Sequence, residues 1–488
     1  MQRHFEADFF HFPGFFLPIF TQTSQTNVSH HSIHDCTVSC VSTANPYLYI
    51  TPISMYTIQT SWIYFLMTLH ILGGGSIGLL YASSMRLACR RKFPVCLLLQ
   101  PHHERKMRSY KNPGEIKQKS DTNREETMSA RNRNSVHENN LPVNNRYVSV
   151  EMKDFHGNVH LQNIPSEIIH KNGNDNDKQD IRNILLATKA PHAVPALESI
   201  VPRFHPTEQI NLVIMSNGSL SIVDEIQQRL HEKGIGEKVN IIYASTTHGA
   251  IRGADIHIGD RCSRQSQNEN LCAFSVTWTG VGHTFIQESG HADSTNQDNL
   301  QQRLHETWNE VGLKNVLTNL TDMYILNWKK FATNCAINPL TALRQCQNGD
   351  LLAEQLDRPS YEETFDYSNF MPTCTDTDAR LFYQLIREVS DVAKAEAEKC
   401  SDAIMDVSFV KNELSYENVS RFVENVVHQT SRNKSSMLQD IIARRYPTEI
   451  MHLNGYVSKL GHECHGLELK ANTYISTEVE RQSRRNSI

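Results

Sequence analysis

Hydrophobic positions follow two rhythms along the chain. In its first half, short, mostly apolar runs recur at 68–72, 95–99, 147–152, 184–187, 212–215 and 241–244, that at 95–99 continuous, each closed by small or polar residues. Runs of that length suit strands buried on both faces of a parallel sheet. Between the first two, Leu79, Leu80, Ala82, Met85, Leu87 and Ala88 fall at roughly helical spacing, so the pattern there is strand, helix, strand. After about residue 300 the rhythm turns helical, and helices are predicted over 301–311, 321–338, 378–400 and 420–442. Pro339 is expected to end or kink the second of these at Asn338, because proline lacks an N–H and crowds the preceding residue.

The first strand runs straight into Gly73-Gly74-Gly75-Ser76-Ile77-Gly78. Gly73, Gly75 and Gly78 make a G-x-G-x-x-G loop between strand and helix. There the glycines allow a tight turn, a close approach of a pyrophosphate to backbone, and close packing of helix on sheet. The helix N-terminus adds unpaired N–H groups and a positive dipole end. An α/β fold is expected, with an N-terminal Rossmann-type parallel sheet domain over 67–320 and an all-helical domain over 321–488. Two polar tracts, 105–145 and 354–378, read as insertions, the first of them disordered. Residues 1–66 read as an extension of unclear role.

Composition sharpens this picture. Of 488 residues, 39% are hydrophobic and 21% charged, a slightly polar balance that fits a globular core diluted by insertions. A net charge of -5 leaves no basic surplus for phosphates, so no nucleic-acid partner is expected. The 11 cysteines are too sparse for a disulfide scaffold and form no C-x-x-C pair. His30, His34, Cys36 and Cys40 have a loose zinc-like spacing in reversed order, and no metal is expected. From Cys36 to Met85 the chain has no Lys, Arg, Asp or Glu, yet the window 53–72 is broken by Ser54, Thr57, Gln59, Thr60, Ser61, Thr68 and His70. No membrane span is expected from it. A cytoplasmic protein is the expectation, with a mitochondrial address through the extension left open.

Two further features carry chemistry. An NAD-specific site usually has an acidic residue at the end of the second strand, to hold the ribose hydroxyls. Here that strand ends at Gln100-Pro101-His102-His103, with Arg105 and Lys106 beyond, which favours NADP. In the helix predicted over 321–338, Lys330, Asn334 and Asn338 fall at i, i+4 and i+8 and make one polar stripe. Asparagine is an indifferent helix former, so two in line with a lysine in an apolar segment suggest a polar substrate along that face.

With Asn338-Pro339-Leu340-Thr341-Ala342, Asn348-Gly349, the run from Asn433 to Asp440, Thr448-Glu449-Ile450 and Asn454-Gly455, the chain from Met67 onward resembles the ketopantoate reductases (2-dehydropantoate 2-reductases). The resemblance implies a helical domain of the 6-phosphogluconate dehydrogenase C-terminal type. It also implies NADPH-dependent reduction of a small 2-keto acid, ketopantoate, to pantoate, on the route to pantothenate and coenzyme A. It marks Lys330 as the proton donor and Glu449 as the acid that contacts the nicotinamide ribose and organises the lysine. Asn217, Asn334, Asn338, Asn348, Asn433 and Ser436 are implied to hold substrate. The loop from Gly73 to Gly78, with Lys189, Asn217, Ala250 and Glu449, is implied to hold the cofactor. The sequence departs from the family at Ser219-Leu220, where a glycine is common. A related reductase of another 2-keto acid, or a silent dinucleotide-binding sensor, therefore stays as an alternative, and assembly as a homodimer stays open.

Overall fold

The computed structural model describes residues 68–88, 93–100, 108–109, 146–169, 180–253, 256–257, 272–288, 299–352, 379–400 and 406–486. The extension, the 354–378 tract, most of the 105–145 tract and the four zinc-like residues lie outside them.

Strand β1 (Leu69–Leu72) leads through the glycine loop into α1 (Ser76–Ala88) and β2 (Val95–Leu99). A two-residue strand, β3 (Arg108–Ser109), pairs antiparallel with β4 (Arg146–Lys153), so the first polar tract is not without structure throughout. Strand β5 (Val159–Ile168) follows, then β6 (Asn183–Leu186), α2 (Ala190–Glu198), β7 (Ile210–Ile214), α3 (Ser219–Glu232) and β8 (Val239–Thr246). The unit closes with β9 (Gly249–Arg252), β10 (Ile256–His257), β11 (Cys272–Gly280), β12 (Thr284–Gln287), α4 (Leu300–Glu310) and β13 (Asn315–Thr318).

In the sheet, β5-β2-β1-β6-β7-β8 are hydrogen-bonded in that order, all parallel. Counted along the chain this is the 3-2-1-4-5-6 order of a doubly wound fold, whose order reverses between β1 and β6. Leu69 and Ile71 point into one core and Leu72 into a second on the opposite face. Both faces of β1 are thus covered, which is why it is mostly apolar, with His70 buried among its leucines and isoleucine.

Past Thr318 the chain is helical: α5 (Leu320–Arg344), α6 (Ala379–Lys399), α7 (Val407–Glu413), α8 (Tyr416–Gln429), α9 (Ser436–Ile442), α10 (Asn454–His465) and α11 (Lys470–Asn486). They share a separate core built on Trp328, Phe331, Leu385, Val423 and Val457. Asn319 caps α5, its side chain accepting from the Asp322 N–H.

The structure refines two sequence expectations. The stretch 420–442 is two helices, because Ser435 starts a new one: its Oγ accepts from the Leu438 N–H at 3.1 Å and from Thr341 Oγ1 at 2.7 Å. Ser435→Ala is expected to cost about 1–2 kcal/mol, the usual loss for a serine N-cap. A lower urea midpoint would register it, and an unchanged one would show that the cap is dispensable. The second is that, of the end or kink expected at Pro339, the end does not occur: α5 continues through Pro339 to Arg344. Proline removes the N–H that the Cys335 carbonyl would accept four residues back. Asn454 supplies the missing donor, its Nδ2 lying 2.8 Å from that carbonyl.

Candidate active site

Three loops, after β1, β6 and β7, lie at the C-terminal edge of the parallel strands, and each holds residues singled out from sequence. After β1, Gly73 turns at φ +134°, and a Cβ there would lie 2.9 Å from the Ala187 carbonyl group at the end of β6. A Cβ on Gly78 would sit 2.1 Å from the Gly73 oxygen, so the first turn of α1 packs directly on the loop. Gly75 differs, since its nearest neighbour would be 3.8 Å away. Gly74, Gly75, Ser76 and Ile77 are half-buried, and the first turn of α1 carries no acidic residue. Open backbone at the positive end of a helix is what a pyrophosphate requires, and these residues fit a dinucleotide.

After β6, Lys189 precedes α2, and its ammonium pairs with the buried Asp440 of α9. After β7, Gly218 sits at φ +70° with the His452 carbonyl 3.1 Å from where its Cβ would be. Asn-Gly here lets the helical domain approach closely. Tyr456 of α10 donates to Asp224 of α3 at 2.5 Å, a second tie between the domains. Leu220, at the point where the sequence departs from the family, packs against the helical core.

The helical domain brings its own groups to this edge. Glu449 is buried, and its Oε1 accepts from the Ala190 N–H at 3.2 Å. Burial raises its pKa, opposed by that N–H, by the Lys189 charge and by a hydrogen bond from Asn217. On α5, adjacent lysines point to different places. Lys329 is buried in an ion pair with Glu413 at 2.6 Å. Lys330 is half-buried and faces the sheet, its Nζ donating to the Thr246 carbonyl at the end of β8 at 3.1 Å. Burial pushes the Lys330 pKa down to about 8, and the Glu449 carboxylate pulls it back up. Asn338 lies buried beside Asn334, Nδ2 to Oδ1 3.4 Å, one turn along the same stripe.

Lys330, Glu449, Asn217 and Lys189 are therefore brought together, with Asn334 and Asn338 extending the stripe. The others stand differently. Asn348 uses its Nδ2 on Thr430 Oγ1 at 2.9 Å and its N–H on the Asn433 carbonyl at 3.0 Å, which ties it to the 430–433 turn. The Asn433 side chain is exposed, and Ser436 is half-buried in the first turn of α9. Ala250 lies on β9 opposite Trp278, half-buried against the sheet core. Thr246 and Asp440 are partners that sequence reasoning leaves without a role. Thr246 shares the signal of its neighbours, a polar residue at the end of a parallel strand. His248, just beyond it, is no rival proton donor. Its Nδ1 accepts from the Gly282 N–H and its Nε2 donates to the Leu313 carbonyl, both at 2.9 Å, and burial lowers its pKa. Among the described residues no cluster of His, Cys, Asp or Glu could hold a metal, and no helix is long and apolar enough to cross a membrane.

A dinucleotide loop facing a lysine and a buried carboxylate across two domains defines a nicotinamide-dependent oxidoreductase site. Comparison with known proteins narrows this. The ketopantoate reductase PanE/ApbA family model matches residues 69–268, and the ketopantoate reductase PanE/ApbA C-terminal model matches 322–366 and 374–482. The chain belongs to the ketopantoate reductase family. It is 27% identical to the 2-dehydropantoate 2-reductase of Vibrio cholerae over 298 residues, 61% of this chain and 76% of that one. It is 24% identical to the Yersinia pestis enzyme of the same name over 329 residues, 66% of this chain and 82% of that one. Among solved structures, the PanE/ApbA family ketopantoate reductase of Ralstonia eutropha shares the fold at a TM-score of 0.53 and 16% identity, over 86% of this chain and all of that one. D-mandelate dehydrogenase, solved with NADH and anilino(oxo)acetate, shares it at 0.53 and 14% over the same shares.

Proposed function

We propose that this chain reduces the 2-keto group of 2-dehydropantoate to give pantoate, with NADPH as the reductant. The observation that carries the reading is Lys330, held at a strand end by the Thr246 carbonyl and within the field of the buried Glu449. When bound, a nicotinamide dinucleotide supplies the hydride. The chain's own groups do the rest. Reducing a ketone leaves negative charge on its oxygen, which needs a donor aimed at it. The Lys330 ammonium supplies that donor and then the proton. A pKa of about 8 makes it a stronger acid than an ordinary lysine while leaving most of it protonated near neutrality. Asn334 and Asn338 offer neutral amides that bind hydroxyl and carboxylate oxygens alike. Lys189, paired with Asp440 just past the end of β6, is the cation proposed to meet a substrate carboxylate or the cofactor.

The pH dependence follows from the sign of the Lys330 shift. The acid form is present below about pH 8 and is lost above it. Keto-acid reduction is therefore expected to fall as pH rises through that value, while oxidation of the hydroxy acid, which needs the free amine, rises. Initial rates in both directions across pH test this. Parallel profiles would remove Lys330 from the proton-transfer step.

The preference for NADPH rests on Gln100, which directly follows β2 where an NAD site usually has a carboxylate. A carboxylate there would repel a 2′-phosphate. The kcat/KM for NADPH is expected to exceed that for NADH by at least about tenfold, ~1.4 kcal/mol. Equal values would place the cofactor choice elsewhere. A panel of 2-keto acids compared by kcat/KM tests the substrate, and a stronger preference for a linear or aromatic 2-keto acid would replace ketopantoate.

A further inference from the structure

Asn454-Gly455 is a motif that the reaction above does not use, and its asparagine touches the catalytic helix at an unusual point. Pro339 lies inside α5, one residue past Asn338, and gives no N–H to Cys335. The Asn454 side chain is wholly buried at the start of α10, and its Nδ2 reaches the Cys335 carbonyl at 2.8 Å. The same Nδ2 donates to Asn472 Oδ1 at 2.9 Å, and Asn472 Nδ2 donates in turn to Glu388 Oε2 at 2.8 Å. Glu388 also accepts the Ala471 and Asn472 N–H groups, both at 2.9 Å, at the first turn of α11. A buried network thus runs from α11 through α10 into the backbone of α5, between the turn that carries Asn334 and the turn that carries Asn338. Glu449 lies five residues before Asn454, joined to it by the short helical turn Ile450–His452.

We propose that Asn454 is a positioning residue: by satisfying the carbonyl that Pro339 orphans, it keeps α5 continuous and fixes Lys330, Asn334 and Asn338 relative to Glu449. Proline in mid-helix alone would leave a buried acceptor unpaired and a joint in the polar stripe. The asparagine closes that joint from the segment that also delivers Glu449, so both halves of the site share one reference point. The inference rests on the proposed reduction for its kinetic readout, and on the fold alone for its structural one.

The test is a double-mutant cycle with Pro339. Asn454→Leu removes the donor, and kcat is expected to fall about tenfold or more, ~1.4 kcal/mol, with the dissociation constant for NADPH little changed. Pro339→Ala returns an N–H to Cys335 and by itself leaves kcat near the parent value. In the double variant that N–H replaces the side-chain donor, and most of kcat is expected to return. Thermal stability returns only in part, because Asn472 still lacks its donor. Hydrogen exchange of the α5 amides around residues 335–344 provides a readout independent of turnover. It is expected to quicken in Asn454→Leu and slow again in the double variant. A double variant as impaired as Asn454→Leu in both kcat and exchange would overturn the inference and leave Asn454 a packing residue. Absence of ketopantoate reduction by the parent protein would instead sink the proposed reaction, with hydrogen exchange still deciding the role of Asn454.

Discussion

Replacing Lys330 with alanine is expected to lower kcat by about a thousandfold, within the range that loss of a positioned general acid costs. Affinity for the dinucleotide should be nearly unchanged, because the phosphate-binding loop lies on β1 and α1 and Lys330 on α5. The variant should also fold at least as well. A lysine whose pKa is lowered in the folded state is held there partly against the cost of burying its charge, so below about pH 8 it destabilises the fold. Deleting it removes that cost. Single-turnover rates, a dinucleotide titration and a thermal melt on one preparation separate these effects. A fall in activity that came only with a fall in melting temperature would mean that Lys330 is structural.

The second large effect is expected at Gly78. An alanine Cβ there would lie 2.1 Å from the Gly73 oxygen, an approach that real side chains do not make. Either the loop or the first turn of α1 must shift, and both form the surface that a pyrophosphate would touch. Gly78→Ala is expected to weaken dinucleotide binding by about a hundredfold, ~2.7 kcal/mol. Gly75→Ala provides the contrast. Its Cβ has no neighbour closer than 3.8 Å, so the unliganded fold should tolerate it while the phosphate contact suffers. If Gly78→Ala bound as tightly as the parent, the loop would not be the cofactor cradle.

What can be read from the sequence depends on how each element is buried. Runs such as 95–99 and 241–244 read as strands because a sheet covered on both faces leaves few polar positions. β5 hides for another reason: Val159 and Leu161 are exposed and Gln162 and Ser166 are buried beside Ile164 and Ile168, so no clean apolar alternation marks it. α11 is similarly obscured. Ala471, Ile475 and Val479 repeat every fourth residue and face the core, but polar residues surround them and Asn472 is buried.

In the site, Lys330, Asn334 and Asn338 are legible because helical spacing alone aligns them. Thr246 is one step harder, since its carbonyl matters rather than its side chain. Local rules allow an end or a kink at Pro339 and do not decide between them, so that α5 runs on to Arg344 is read only from the structure. The donor that permits it, Asn454, stands 119 residues away along the chain. Asn348 illustrates a further limit: a motif match marks a position, whereas the structure adds that its Nδ2 donates to Thr430.

The most direct test of the account is the loss of reduced-nicotinamide absorbance when the purified protein meets NADPH and ketopantoate, run beside Lys330→Ala. Steady turnover by the parent is expected, with pantoate formed in equal amount to the NADPH consumed, and a rate lower by about a thousandfold in the variant. Tight NADPH binding without ketopantoate-dependent oxidation, or equal rates in the two proteins, would contradict it.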